Sequence, residues 1–213
     1  MTRRQLWTSL AASALPLFAA SCGGKKTGKM SPGPAQYKVR FQTTKGDVVI
    51  LVHRDWSPLG ADHFYELTQM HFYDNNAFFR ALKGFVVQWG VSGDPQVNKS
   101  WSEITIKDDP PKVPNKTGTV VFAKTGELNS RTTQCFINLG DNSAALDPQG
   151  FTPFGEVIQG MENVMKIYTD YGEISSDGTG PGPNPAAIAD IGNPYLEEHF
   201  PKLDYIKTAR IIP

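Results

Sequence analysis

Apolar and polar positions change their spacing several times along the chain, and each change marks an element. Tyr37, Val39 and Phe41 alternate with Lys38, Arg40 and Gln42, the period-two pattern of a half-buried strand. Lys45-Gly46-Asp47 reads as a turn, and Val48 to Val52 as the returning strand of a hairpin. Ser57-Pro58 supplies a cap and a first-turn proline. The spacing then predicts a helix to about Met70, with Phe64, Leu67 and Met70 on its buried side. Tyr73 to Asn76 reads as a turn. The densest apolar run follows, Phe78 to Gly90, and Gly84 divides it into two strands, Ala77 to Leu82 and Phe85 to Trp89. Alternation places Phe78, Arg80 and Leu82 on one face of the first and Phe79 and Ala81 on the other. In the second, Val86 and Gln88 share a face, opposite Phe85, Val87 and Trp89.

Residues 91 to 117 carry Gly93, Pro95, Pro110, Pro111 and Pro114 and read as loop, with one short strand at Ile104 and Ile106. Further strands are predicted at Thr119 to Ala123, Gln134 to Asn138, Phe154 to Val157 and Asp204 to Ile212. A short helix is predicted from Gly160 to about Tyr168, with Met161, Val164, Met165 and Tyr168 inward, and another at Tyr195 to Phe200. Residues 171 to 194, dense in Gly, Pro and Asp, read as a long loop. Many short strands with two clear helices predict a mainly β fold, a closed antiparallel barrel with helices over its open ends.

The N-terminus follows a different rule. Arg3 and Arg4 precede an uncharged apolar run, Leu6 to Ala20, too short for a comfortable membrane span, so residues 1 to 21 read as an export signal. Ala19-Ala20-Ser21-Cys22 resembles a bacterial lipoprotein processing site, at which Cys22 becomes the lipidated N-terminus, and Arg3-Arg4 also resembles a twin-arginine signal. Residues 22 to 35, rich in Gly, Lys, Ser and Pro, read as a flexible tether. The expectation is one domain, 36 to 213, held by a lipid at a membrane of the cell envelope. The chain's length of 213 residues suits one core, and 21 basic against 21 acidic residues give no support for nucleic-acid binding. Removing residues 1 to 21 takes away two arginines and no acid, which leaves 19 − 21 = −2. Cys22 and Cys135 offer no disulfide framework, and Cys135 lies on the strand face opposite Gln134, Phe136 and Asn138.

Candidate chemistry is sparse. His53, His63, His71 and His199 have no ligand spacing, and no nucleophile elbow, phosphate loop or dinucleotide fingerprint is present, so no metal or cofactor is implied. Asp108-Asp109, before two prolines, reads as a solvated loop. Arg80 stands out. A guanidinium on an apolar strand is costly to bury unpaired. Arg80 is either a surface residue at the edge of a core or a working group beside an apolar pocket.

Three ordered motifs bear on that choice: Phe79-Arg80 with Gly84-Phe85, Gln88 and Gly90; Ala123 with Asn129-Ser130 and Gln134-Cys135-Phe136-Ile137; and Leu146-Asp147 with Phe154-Gly155, Val157 and Gly160-Met161. With these the chain resembles the cyclophilins, the peptidyl-prolyl cis–trans isomerases, over roughly Tyr37 to Tyr168 plus the closing strand. The resemblance implies a closed eight-stranded antiparallel barrel capped by two helices. It implies Arg80 and Gln88 as the catalytic pair, and a proline pocket of Phe85, Val86, Phe136, Leu146 and Phe151. It also implies that Gln134 and the main chain of Ala123, Lys124 and Thr125 hold the substrate backbone. The substrates it implies are proline-containing peptides and unfolded segments of exported proteins, bound by a monomer.

The sequence departs from the family pattern at five positions, one of them Cys135, which replaces a core Phe on the face away from the site. Phe79 stands where a His is usual and Val86 where a Met is common, which makes the pocket apolar and roomier. Ala145 stands where cyclosporin-sensitive members have a Trp, and Phe151 falls near a usual pocket His, so weak cyclosporin affinity is expected. Residues 171 to 202 have no counterpart in a minimal member. Two other functional classes compete. One is a lipid-anchored binding module or chaperone with little turnover. The other is a structural protein, which would gain support from an Arg80 buried in an internal ion pair.

Overall fold

The computed structural model describes residues 32–175 and 180–213. The export signal, Cys22 and most of the tether lie outside the described residues. Along the chain run β1 (Gln36–Thr43), β2 (Gly46–His53), α1 (Pro58–Gln69), β3 (Asn76–Ala77), β4 (Arg80–Ala81), β5 (Val86–Trp89) and α2 (Pro95–Trp101). They are followed by β6 (Thr119–Phe122), β7 (Cys135–Asn138), α3 (Ser143–Leu146), β8 (Pro153–Gln159), α4 (Met161–Val164), α5 (Pro185–Ile191), α6 (Asn193–His199) and β9 (Tyr205–Ile212). All named strand pairs are antiparallel, and they form one curled sheet in the order β3-β9-β1-β2-β8-β6-β7-β5-β4.

This corrects the expected closed eight-stranded barrel, because the sheet has nine strands and its edges, β3 and β4, do not pair with each other. The reason lies in the stretch expected as one strand. Asn76 and Ala77 pair with β9 and Arg80 and Ala81 with β5, so Phe78 and Phe79 carry the chain from one edge to the other. The alternation slips there. Phe78 and Ala81 face the main core, while Ala77 and Phe79 face a second one. Gly84, at φ 74°, makes the turn into β5 that a residue with a Cβ adopts only with strain.

The main core fills the inside of the sheet beneath α1. Phe41, Phe64, Tyr73, Trp89, Phe122 and Phe154 are fully enclosed there, and each such apolar side chain contributes roughly 1.5–3 kcal/mol. Phe64 and Leu67 are buried as the periodicity predicts, but Met70 is 64% exposed because α1 ends one residue earlier. The second expected cap is shorter than predicted, since α4 is one turn, and Met165 beyond its end is half exposed. Helix α2 was not expected within the 91–117 loop, and Ile106 forms a single bridge to Arg131 in place of a strand. Asp109 is not solvated but buried. Its carboxylate accepts from the Leu59 and Gly60 N–H groups and from the Ser57 hydroxyl, so it caps α1 from a distant loop in place of Ser57.

The long loop expected over 171–194 contains α5, and with α6 it builds the second core. Ile188 and Leu196, both fully buried, pack with Ala77, Phe79, Val91 and Leu203. Phe79 is therefore not a pocket wall. It faces this second core and is not among the residues that line the groove described next.

Candidate active site

The groove lies on the outer face of the sheet over β4, β5, β7 and β6. Register brings its parts together: Arg80 pairs with Gln88, Gln88 with Phe136, and Phe136 with Val121. Val86, Val121, Phe136 and Leu146 form a small apolar cluster there, with Phe85, Ala123 and Phe151 packed against it. Gly90 lets β5 lie close to β7, since a Cβ at that position would overlap Thr133 O and Gln134 Cα.

The residues that the resemblance assigns to catalysis and substrate binding all line one cavity of about 510 Å³: Arg80, Phe85, Val86, Gln88, Ala123, Lys124, Thr125, Gln134, Phe136, Leu146 and Phe151. That volume suits a small organic ligand or a short peptide segment. The polar groups form a chain across its floor. Arg80 Nη1 donates to Gln88 Oε1 at 3.2 Å, and Gln88 Nε2 donates to Gln134 Oε1 at 2.9 Å. Gln88 is buried, so both ends of its amide are used and its orientation is fixed. The Arg80 guanidinium carbon lies 5.7 Å from the Phe85 ring centroid, and Lys124 Nζ lies 5.7 Å from that of Phe151 at another wall. Phe136 and Phe151 meet edge to face at 5.8 Å.

Two features had no counterpart in the sequence reading. The first is a ladder of buried amides that props the pocket wall. Asn115 Nδ2 donates to Asp147 Oδ1 and Phe151 O, Asn138 Nδ2 to Asn115 Oδ1, and Asn142 Nδ2 to Asn138 Oδ1 and Phe85 O. These bonds hold Phe85, Leu146 and Phe151 around the cavity. The second is Glu173, from the 171–202 segment. Its carboxylate accepts from Arg80 Nε at 2.6 Å and from Nη2 at 2.7 Å. The Arg80 hydrogen bonds hold the Glu173 carboxyl below its usual range, against the opposing effect of partial burial. The Arg80 and Glu173 side chains remain 21% and 51% exposed, so this pair sits at the mouth of the groove and is not the internal ion pair a structural role would require. Cys135 lies behind β7, fully buried, with burial pushing its thiol well above the ordinary value.

A family model described as "Cyclophilin type peptidyl-prolyl cis-trans isomerase/CLD" matches residues 38–192. Relatives include peptidyl-prolyl cis-trans isomerase B of Escherichia coli (strain K12), 33% identical over 136 residues that cover 61% of this chain and 82% of the relative. A peptidyl-prolyl cis-trans isomerase of Acinetobacter baylyi is 30% identical over 137 residues, covering 62% of this chain and 72% of the relative. Among solved structures, a Cryptosporidium parvum cyclophilin-type isomerase superposes with a TM-score of 0.57 at 20% identity, covering 84% of this chain and 98% of that one. The same protein has been solved in the presence of the dipeptide Ala-Pro, with the same TM-score. The chain belongs to the cyclophilin-type peptidyl-prolyl cis–trans isomerase family, and the antiparallel, cyclophilin-like sheet agrees with that. It is an isomerase of that class.

Proposed function

We propose that the Arg80 groove is where this isomerase turns X–Pro peptide bonds, and that its substrates are proline-containing segments of exported proteins. Rotation must cross a barrier of about 18–20 kcal/mol, most of it amide resonance. At mid-twist the proline nitrogen becomes pyramidal and regains a lone pair, to which a fixed guanidinium can donate. Arg80 would make that bond in the twisted state alone, so it lowers the barrier without tightening the ground state. Val86, Phe136, Leu146 and Phe151 enclose the ring. Gln88 orients the cation, while Gln134 and the main chain of Ala123 to Thr125 hold the residue before proline as the other side turns. The Arg80–Gln88–Gln134 chain facing an apolar cavity carries this reading. A protease-coupled assay on a cis-proline peptide tests it, because wild-type turnover by Arg80→Ala would remove the mechanism.

The same proposal places the domain, as a monomer, at the cell envelope, anchored by lipid on Cys22. The Ala-Ala-Ser-Cys ending of the apolar leader supports this. Among the described residues no helix is long and apolar enough to cross a membrane. A Cys22→Ala chain that still sediments with membranes would overturn it.

A further inference from the structure

The guanidinium of Arg80 offers five N–H donors. Among the described residues three have partners: Nε and one Nη2 hydrogen bond Glu173, and one Nη1 hydrogen bonds Gln88. Two remain. Glu173 takes the side edge of the fork, and Glu173 and Gln88 hold it from different edges. The cavity stays open at about 510 Å³ with Glu173 in place, so the carboxylate grips the cation without filling the pocket.

Glu173 does not reach in from a loose arm. Its carbonyl accepts from Gly182 N at 3.0 Å, Pro183 O accepts from Ser175 N at 3.1 Å, and the Ile174 N–H donates back to Glu173 Oε1 at 2.9 Å. Ile174 packs against the second core, whose buried residues include Phe79, the neighbour of Arg80. One folded segment therefore grips the same short stretch twice, at the Phe79 ring and at the Arg80 guanidinium. A long cation at a pocket mouth would otherwise give up rotamer freedom each time it met a twisted amide.

From these contacts we infer that Glu173 is a positioning residue for catalysis: it holds the side edge of Arg80 so that the two remaining N–H groups are set for the proline nitrogen and its neighbouring carbonyl. This rests on the isomerase reading of the groove.

The test compares wild type, Glu173→Gln, Glu173→Ala, Arg80→Ala and Arg80→Ala/Glu173→Ala in the cis-proline peptide assay. Both Glu173 variants are expected to lose about tenfold in kcat with KM little changed, and the double variant to be no slower than Arg80→Ala alone. Proton exchange of the Arg80 Nε–H, followed by NMR, gives a readout independent of turnover. That signal should be protected from water in wild type and exchange freely in Glu173→Gln, whose side chain keeps the volume and the fold. Unchanged or faster kcat in the Glu173 variants, with Arg80→Ala still slow, overturns the positioning role and makes the carboxylate a competitor for the cation. Further loss in the double variant, equal to that in the single one, also overturns it. Wild-type turnover by Arg80→Ala instead overturns the isomerase assignment of Arg80, so the two failures are told apart.

Discussion

Of the arginines that hold carboxylates in this chain, Arg131 and Arg80 do opposite things. Arg131 is 3% exposed and Asp109 7%. Arg131 Nη2 donates to Asp109 Oδ2 at 3.1 Å and to Lys107 O, and Nη1 donates to Ser57 Oγ at 3.3 Å. Its Nε faces Asp108 Oδ1 at 3.5 Å. Every edge of that fork is directed at the chain, and the result is a tie that fastens the 107–109 loop to the start of α1. Arg80 also makes a two-pronged carboxylate pair, yet it stands at the rim of an apolar cavity with two donors still to give. Pairing with an acid therefore does not separate structural arginines from working ones. What separates them is where the unspent donors point and whether a pocket lies beside them.

Removing each cation should break the comparison in opposite directions. Arg131→Met leaves Asp109 buried beside a helix terminus without its countercharge, and should cost roughly 3–5 kcal/mol of stability by urea unfolding at neutral pH. Adding Asp109→Asn should recover part of that loss, since the uncompensated charge goes with it. Arg80→Ala should leave the urea midpoint nearly unchanged, because an ion pair at a groove mouth is worth up to about 1 kcal/mol. Its kcat/KM should instead fall by about 10²–10³-fold, the loss typical of a donor aimed at developing charge.

The groove was largely legible in the sequence because strand register is local and periodic. Gln88 two residues after Val86, and Phe136 two after Gln134, share faces by alternation alone, and the motifs supplied which face to choose. What escaped the sequence was whatever depends on long-range closure. Asp109 was read as solvated since nothing near it in sequence reveals Arg131 or the N-terminus of α1. Phe79 was read as a pocket residue from the family pattern, although alternation had already set it on the face opposite Arg80; it packs instead in the second core, which the sequence did not reveal. Glu173 lies 93 residues from Arg80, in a stretch whose Gly and Pro content conceals a folded segment with its own core. Asn115, Asn138 and Asn142 show no periodicity, and their ladder follows from burial alone.

Acid should separate the same two regions. His63 lies beneath Arg131, fully buried, with Nε2 2.8 Å from Thr132 O. Burial is the main cause that lowers its pKa from 6.5 to about 4, with the nearby Arg131 adding to it and the Thr132 bond opposing. As pH falls the unfolded chain takes up this proton first, so stability present above pH 6.5 is lost progressively towards pH 4, by roughly 3 kcal/mol for a shift of that size. Urea midpoints measured across this range should show the slope, and His63→Gln should flatten it. The Glu173 carboxylate, held below its usual range by Arg80, keeps its charge to lower pH than an unpaired glutamate would. The buried tie should therefore weaken in mild acid while the mouth of the groove stays paired, and kcat of the folded fraction should change less than stability does.

The smallest effect probes the link between the cation and the rest of the groove. Gln88→Leu keeps the size of a buried side chain on β5 but removes the amide that joins Arg80 to Gln134. Arg80 is then held by Glu173 alone, and Gln134 loses its donor. Neutral hydrogen bonds of this kind are worth about 0.5–1.5 kcal/mol, and the Arg80 end is charged, so kcat/KM should fall by about 5–20-fold. The loss should sit in kcat if Gln88 acts through the orientation of the guanidinium, and in KM if its chief service is to Gln134 and the substrate backbone. Combining Gln88→Leu with Glu173→Gln sharpens the point. If the two hold one guanidinium from different edges, the pair of changes should cost more than the sum of each alone, because each single change leaves the fork partly held by the other support and neither is left once both are gone.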